Sequence, residues 1–365
     1  MLYKLKDIFD LQMGKTPSRN NIEYWNTNDY KWVSIADLTK TDKYIYDTKE
    51  YLSKKAVNES GIKIIPANTV IMSFKLSIGK TAITAEDMYS NEAIMAFHDK
   101  HIVEILPEYI FYLFKYKNWD DGSNKAVMGK TLNKAILSEV EIDICSIEEQ
   151  RKIVNVLDKI MNLISARKKE LSYLDTFTKA RFVELFGDPI INSKGLETKE
   201  LNEVLVLKAG DFTAASDISV EPTEINIYPC YGGNGIRGYV AEYNQEGEYS
   251  LVGRQGALSG NVQYATGKFK NTEHALLVKP IIQMNSIWLN QLLLNLDLKR
   301  YQTGAAQPGL SVKNLQEIHI IMVPIDEQRQ FAEFVKHIDK SKSAVKKALD
   351  ETQLLFDSLM QEYFG

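Results

Sequence analysis

The sequence predicts an α+β protein: two α/β domains separated by two long helices packed as an antiparallel coiled coil, the whole forming a pseudo-twofold internal repeat. Three observations carry this expectation. EEQR at Glu148–Arg151 returns as DEQR at Asp326–Arg329, and the surrounding text returns at the same offset, 327 − 149 = 178 residues. Two stretches carry apolar residues at alternating steps of three and four, the spacing of a helix seam. The blocks before them carry short apolar runs punctuated by glycine-containing turns, the pattern of strands and loops. A chain of 365 residues also exceeds what one ordinary core organises.

In chain order the blocks are residues 1–145, 146–187, 188–323 and 324–365. The first opens with LKDIFDLQMG, Leu5–Gly14, and the third with the similar LNEVLVLKAG, Leu201–Gly210; each is read as a short amphipathic segment starting a domain. NTVIMSFKLSIGK, ending at Lys80, and EYSLVGRQGALSGN, ending at Asn261, read as a strand running into a small-residue turn that carries a basic residue. NEAIMAF from Asn91 and TEHALLV from Thr272 read as buried strands, and helices are expected around Glu108–Tyr116 and Ser286–Leu296. Upstream of each long helix, Leu132, Leu137, Glu139 and Ile142 match Leu310, Leu315, Glu317 and Ile320.

The second and fourth blocks are the long helices. SARKKEL at Ser165–Leu171 returns as SAVKKAL at Ser343–Leu349, and ELFG ending at Gly187 returns as EYFG ending at Gly365. One seam runs Ile153, Leu157, Ile160, Ile164, Leu171, Leu174, interrupted by Arg167. The other runs Phe331, Val335, Ile338, Val345, Leu349, Phe356, Leu359, interrupted by Lys342 and Thr352. Forty residues of helix measure roughly 60 Å, too long for a small domain to bury alone. The two helices are therefore expected to pack on each other, antiparallel, with the mixed blocks at opposite ends. Their outer faces supply partner-binding candidates: Lys168 and Lys169, returning as Lys346 and Lys347, and Gln150 and Arg151, returning as Gln328 and Arg329. Helix capping accounts for Ser146 with Glu149 and for the acid at Asp326. It does not account for the repeated Gln-Arg pair.

Composition narrows the class. With 44% hydrophobic and 25% charged residues the chain reads as globular, and no apolar run is long enough to span a bilayer. The charged start, MLYKLKDIFDLQMGK, does not read as a secretory signal, so a cytoplasmic location is expected. Cys145 and Cys230 stand alone and are read as buried small apolar side chains. A net charge of −4 gives no global signal for nucleic acid, so any DNA contact must come from locally organised cations.

The turns offer those cations. Lys75, Ser77 and Lys80 in the first block, and Arg254, Gln255, Ser259 and Asn261 in the second, combine phosphate-type donors with side chains able to read base edges. GKTPSRNNIEYW adds Lys15, Thr16, Ser18 and Arg19, and YPCYGGNGIRGY adds Tyr231, Asn234 and Arg237. Catalytic readings fail on their own terms. Gly233, Gly235 and Gly238 satisfy GxGxxG, but a strand-like run follows where a dinucleotide fold needs a helix. Gly79-Lys80-Thr81 and Gly129-Lys130-Thr131 end like phosphate loops but lack the earlier glycine. His98 and His101 have no second ligand pair and are read as loop residues; no catalytic or metal site is expected.

The alternation of two variable blocks with two near-identical helices, the EEQRK run, the closing ELFGDP and the early Gly14-Lys15-Thr16-Pro17 resemble the specificity subunit of a Type I restriction-modification system. The resemblance covers the whole chain. It implies that residues 1–145 and 188–323 are target recognition domains, each reading half of a split sequence in double-stranded DNA. It implies also that the helices recruit two modification subunits, which carry the S-adenosylmethionine chemistry, that restriction subunits join this core, and that this chain binds no cofactor and catalyses nothing. YPCYGGNG stands where the first block has YKWVSIADL, so different half-sites are expected. The isolated chain is expected to bind DNA weakly. Three alternatives stay open: service to a fused nuclease-methyltransferase, a coiled-coil scaffold for protein partners, and a freestanding nuclease whose site carries no recognisable motif.

Overall fold

A computed structural model describes residues 1–25, 27–75, 77–119, 132–304 and 309–365, with the backbone alone at Ala257. The motif Gly129-Lys130-Thr131 lies outside the described residues. The chain forms two compact units: Met1–Ala166 with Leu349–Gly365, and Arg167–Ala348.

The first unit contains β1 (Leu2–Lys4), α1 (Leu5–Ile8), β2 (Phe9–Met13), β3 (Tyr30–Val33), α2 (Ile35–Lys40), β4 (Tyr44–Ile45), β5 (Glu50–Leu52), α3 (Lys54–Ser60), β6 (Val70–Ser73), β7 (Thr81–Thr84), β8 (Tyr89–Ser90), β9 (Ile94–Asp99), α4 (Pro107–Tyr116), α5 (Lys134–Glu139), β10 (Glu141–Asp143) and the first half of α6 (Ile147–Phe186). Its main sheet has the order β2-β9-β6-β7-β4, with a smaller β5-β3-β8 sheet beside it and β1 paired to β10. Central strands β6 and β9 are apolar on both faces. Val70, Met72, Met95 and Phe97 point to α4, whereas Ile71, Ile94 and Ala96 point to Val33, Leu38 and Ile45. That two-residue period is why VIMS and IMAF read as continuous apolar runs.

The second unit continues with β11 (Thr198–Glu200), α7 (Leu201–Val204), β12 (Leu205–Ala209), β13 (Tyr228–Gly232), β14 (Gly235–Val240), β15 (Gln245–Gly253), β16 (Val262–Asn271), β17 (Ala275–Pro280), α8 (Ser286–Asn295), α9 (Val312–Gln316), β18 (His319–Ile321) and α10 (Ile325–Phe364) as far as Ala348, the rest of α10 belonging to the first unit. Its sheet order is β12-β17-β15-β16-β13-β14, and β11 pairs with β18. The first four strands repeat β2-β9-β6-β7. The ten-residue β16 spans what the first unit divides into β7 and β8. Its far end pairs in parallel with β13 at Cys230↔Lys270, as β8 pairs with β3 at Trp32↔Tyr89. YPCYG therefore occupies the same place in its unit as YKWV, with buried Cys230 where the first unit buries Trp32.

Each unit contains its own stretch of the α6–α10 seam. In the second, Phe182 and Phe331 lie 5.5 Å apart and Phe177 and Phe334 5.4 Å, so rising numbers on α6 meet falling numbers on α10 and the helices run antiparallel. In the first, Ile153, Leu157, Ile160 and Ile164 share a core with Phe356 and Met360. The interruption at Lys342 is met by an ion pair to Asp175 on α6 at 2.7 Å, with the Lys342 stem half-buried in the seam. Thr352, the other interruption in that helix, is buried. Cys230 is buried as expected, but Cys145 is only partly so.

Candidate nucleic-acid interface

Three segments converge at the same sheet end in each unit. The first is the exit from the opening strand. Gly14 donates its N–H to the Ile94 carbonyl at 3.1 Å, and Gly210 does the same to Ala275 at 3.3 Å. A Cβ at Gly14 would fall 2.2 Å from the Asn91 carbonyl oxygen, and one at Gly210 would fall 2.1 Å from that of Asn271. Only glycine lets the two backbones approach so closely. The second segment is the turn after the central strand. Ser73 and Gly253 each receive and return backbone bonds across it, to Gly79 and Lys80 in one unit and to Gly260 and Asn261 in the other. Gly79 and Gly260 take φ of +84° and +85°, the left-handed region that closes both turns. The third is the turn into the buried strand, Asn91–Ala93 and Thr272–His274, whose last carbonyls accept from Phe74 and Arg254.

On this shared scaffold the side chains differ. In the first unit the Trp25 and Trp32 indoles donate to the carbonyls of Ser18 and Lys15, both at 3.1 Å, pinning the GKTPSR loop. Arg19 stacks over the Trp25 ring at 3.8 Å and pairs with both oxygens of Glu50. Lys15 donates to the Ser60 carbonyl and Thr16 to Glu92. Burial acts to raise the pKa of Glu92, but the Thr16 hydroxyl, then the residue's own backbone N–H and lastly the Lys75 and Arg19 cations outweigh it and hold the carboxyl below its ordinary value. Thr16, Arg19 and Lys75, taken from two segments of the sequence, thus share one electrostatic neighbourhood. Ser77 and Lys80 are exposed on the turn, and Ser18 is exposed on its loop.

In the second unit Asn234 and Asn261 bond to each other at 2.9 Å, joining the YGGNG turn to the strand-to-turn segment, and Gln255 bonds to His274 at 2.9 Å. Arg254 is half-buried and Arg237 exposed. Two candidates are corrected. Ser259 is fully buried, donates to the Gly256 carbonyl and accepts from Gln302 through its own carbonyl, so it builds the turn and reaches no ligand. The Tyr231 ring packs against Phe269 at 5.5 Å, and burial raises its pKa; it is mainly a core residue. The sequence reading missed Glu50, Glu92 and His274, which position the candidates. No motif marks them, because each meets its partner across the fold.

The partner-surface set also divides. Gln150 is buried: its amide donates to the carbonyls of Glu104 and Cys145, each at 3.0 Å, and accepts from the Leu106 N–H at 2.9 Å. Gln328 is buried likewise, bonded to the Val323 carbonyl at 2.7 Å and the Asn285 N–H at 2.8 Å. Leu106 and Asn285 are the N-caps of α4 and α8. The repeated glutamine is therefore an internal latch tying each long helix to the short helix of its own unit, and both glutamines leave the partner set. Arg151, Lys168, Lys169, Arg329, Lys346 and Lys347 are exposed, with Arg329 paired to Asp326 at 3.1 Å. The Glu149 N–H reaches Ser146 Oγ at 3.3 Å, one half of the expected capping box.

His98, expected in a loop, sits instead on β9, where burial lowers its pKa and favours the neutral ring; His101 follows in the turn beside Asp99. No cluster of metal-ligating side chains is present among the described residues.

A family model described as the Type I restriction modification DNA specificity domain matches residues 1–173 and again 193–352. The chain is 31% identical over 349 residues to the Type I restriction enzyme EcoprrI specificity subunit of Escherichia coli, covering 92% of this chain and 86% of that one. It is 31% identical over 242 residues to the MjaIX specificity subunit of Methanocaldococcus jannaschii, covering 61% and 55%. The crystal structure of a Type I restriction-modification S subunit from M. genitalium superposes with a TM-score of 0.62 at 17% identity, covering 100% of this chain and 96% of that one.

Proposed function

The chain belongs to the Type I restriction-modification DNA specificity family, and from that premise we propose that its two units each read one half of a bipartite sequence in double-stranded DNA. It is a specificity subunit, a recognition chain and not a catalytic one. One observation carries the bipartite reading. The same three-segment scaffold, closed by Gly14 or Gly210 and by Gly79 or Gly260, is built twice and furnished with different side chains. Arg19, Lys75 and Glu92 stand in one copy; Asn234, Arg254, Gln255 and Asn261 stand in the other. A repeated frame with altered contacts suits two different half-sites, since phosphate contacts position a reader and base contacts specify it.

The exposed faces of α6 and α10, with Arg151, Lys168, Lys169 and their repeats, recruit two modification subunits, and restriction subunits join them. S-adenosylmethionine enters with the modification subunits, and this chain holds no cofactor. Clamping of the DNA by those partners adds phosphate contacts to the few that local cations supply on a chain of net charge −4. The assembly works in the cytoplasm; no helix among the described residues is long and apolar enough to cross a membrane. The test is methylome sequencing of a host carrying this chain with its modification partner, compared with a host lacking only this chain. A methylated motif of two short half-sites flanking a fixed spacer is expected, and its absence from the complete system would refute the reading.

A further inference from the structure

We propose that Arg19 reads a guanine in the half-site of the first unit, with Glu50 and Trp25 holding its guanidinium for that contact. The inference rests on the DNA-recognition reading above. An arginine free in solvent loses much rotamer freedom when it binds. Arg19 is already held: Nη1 and Nη2 donate to the two carboxylate oxygens of Glu50, the second at 3.1 Å, and the guanidinium carbon lies 3.8 Å from the Trp25 ring and 4.9 Å from Trp32. Its loop is fixed as well, by the two indole bonds to Ser18 and Lys15.

The direction of the pairing matters. Glu50 engages the guanidinium end-on, through both Nη atoms. The remaining edge presents Nε–H and one Nη–H side by side, and no hydrogen bond from a described residue occupies it. Two parallel donors match O6 and N7 of guanine in the major groove. The side chain is 48% exposed, enough for that edge to be reached. The other cations proposed for this unit are lysines, point charges without a paired-donor edge, and the Lys15 ammonium already donates to the Ser60 carbonyl. Counting from Gly14 and Gly210, the second unit has Ala215 at this place, so the guanine belongs to the first half-site only.

The experiment uses the full chain assembled with its modification partner. Arg19→Ala and Arg19→Lys should both lose discrimination at one G·C pair of the first half-site, by roughly 5- to 150-fold, and keep the second half-site. In oligonucleotides, replacing that guanine by 7-deazaguanine, which lacks N7, should slow methylation by the wild-type complex and leave the variants unaffected. Glu50→Gln should raise KM with kcat unchanged and shrink the 7-deazaguanine effect, whereas a merely structural Glu50 would depress methylation of every target alike. Rescue by lysine, with uniform weakening by alanine, would mean a phosphate contact and overturn the proposal. So would wild-type indifference to 7-deazaguanine at every guanine, an outcome that needs no variant to fold. If no two-part methylated motif exists at all, it is the DNA-recognition reading that fails.

Discussion

Replacing Gln150 by leucine separates a structural latch from a partner-binding side chain. The substitution keeps the volume and removes three hydrogen bonds, those to Glu104, Cys145 and Leu106. The Leu106 N–H is left in a part-buried position without its acceptor, at a cost of up to about 1 to 3 kcal/mol. Two carbonyls each lose a donor, about 0.5 to 1.5 kcal/mol apiece, so the first unit should lose roughly 2 to 6 kcal/mol. Hydrogen exchange of the full chain, followed by mass spectrometry over residues 104–116, reads this directly. A loss of 2 kcal/mol speeds exchange about 30-fold where opening is limiting. The matching segment of the second unit, 284–295, should not change. Gln328→Leu should show the converse with a smaller effect, because it breaks two bonds instead of three. Unchanged protection around Leu106, together with failed assembly with the modification subunit, would refute the latch and restore Gln150 to the partner surface.

Exchanging residues 1–145 for the corresponding block of a relative should alter one half-site and leave the other intact, as methylome sequencing will show; a change in both would refute independent reading. Gly14→Ala should destabilise the first unit by about 1 to 3 kcal/mol in urea melts, because the new methyl meets a backbone oxygen at 2.2 Å that cannot withdraw, and Gly210→Ala should do the same to the second. Hydrogen bonds from Lys6 and Lys4 lower the pKa of Glu139 to about 2. Since the folded value lies below the ordinary 4.5, the stability this acid adds is present above pH 4.5 and is lost as pH falls toward 2. The melting-temperature gap between wild type and Glu139→Gln should therefore close over that range, and a gap independent of pH would show that the clamp adds nothing.

The sequence by itself determined the architecture. A repeat at a fixed offset and a heptad seam are local or periodic signals, so the two long helices, their antiparallel pairing and the duplicated strand-and-turn frame were legible without coordinates. The family was legible for the same reason. What the tertiary structure decided was the direction in which individual side chains point. Gln150 and Gln328 read as surface residues because glutamine is usually exposed, and nothing near them in sequence reveals the N–H groups they meet 40-odd residues upstream. Ser259 and Tyr231 were drawn inward by packing that a turn motif does not encode. Arg19 moved the other way, from one cation among several to a guanidinium fixed by Glu50, 31 residues later, and by Trp25. Periodicity reports which face of an element is buried. Whether a polar side chain there is a latch or a reader depends on partners brought by distant parts of the chain, and only folding brings them.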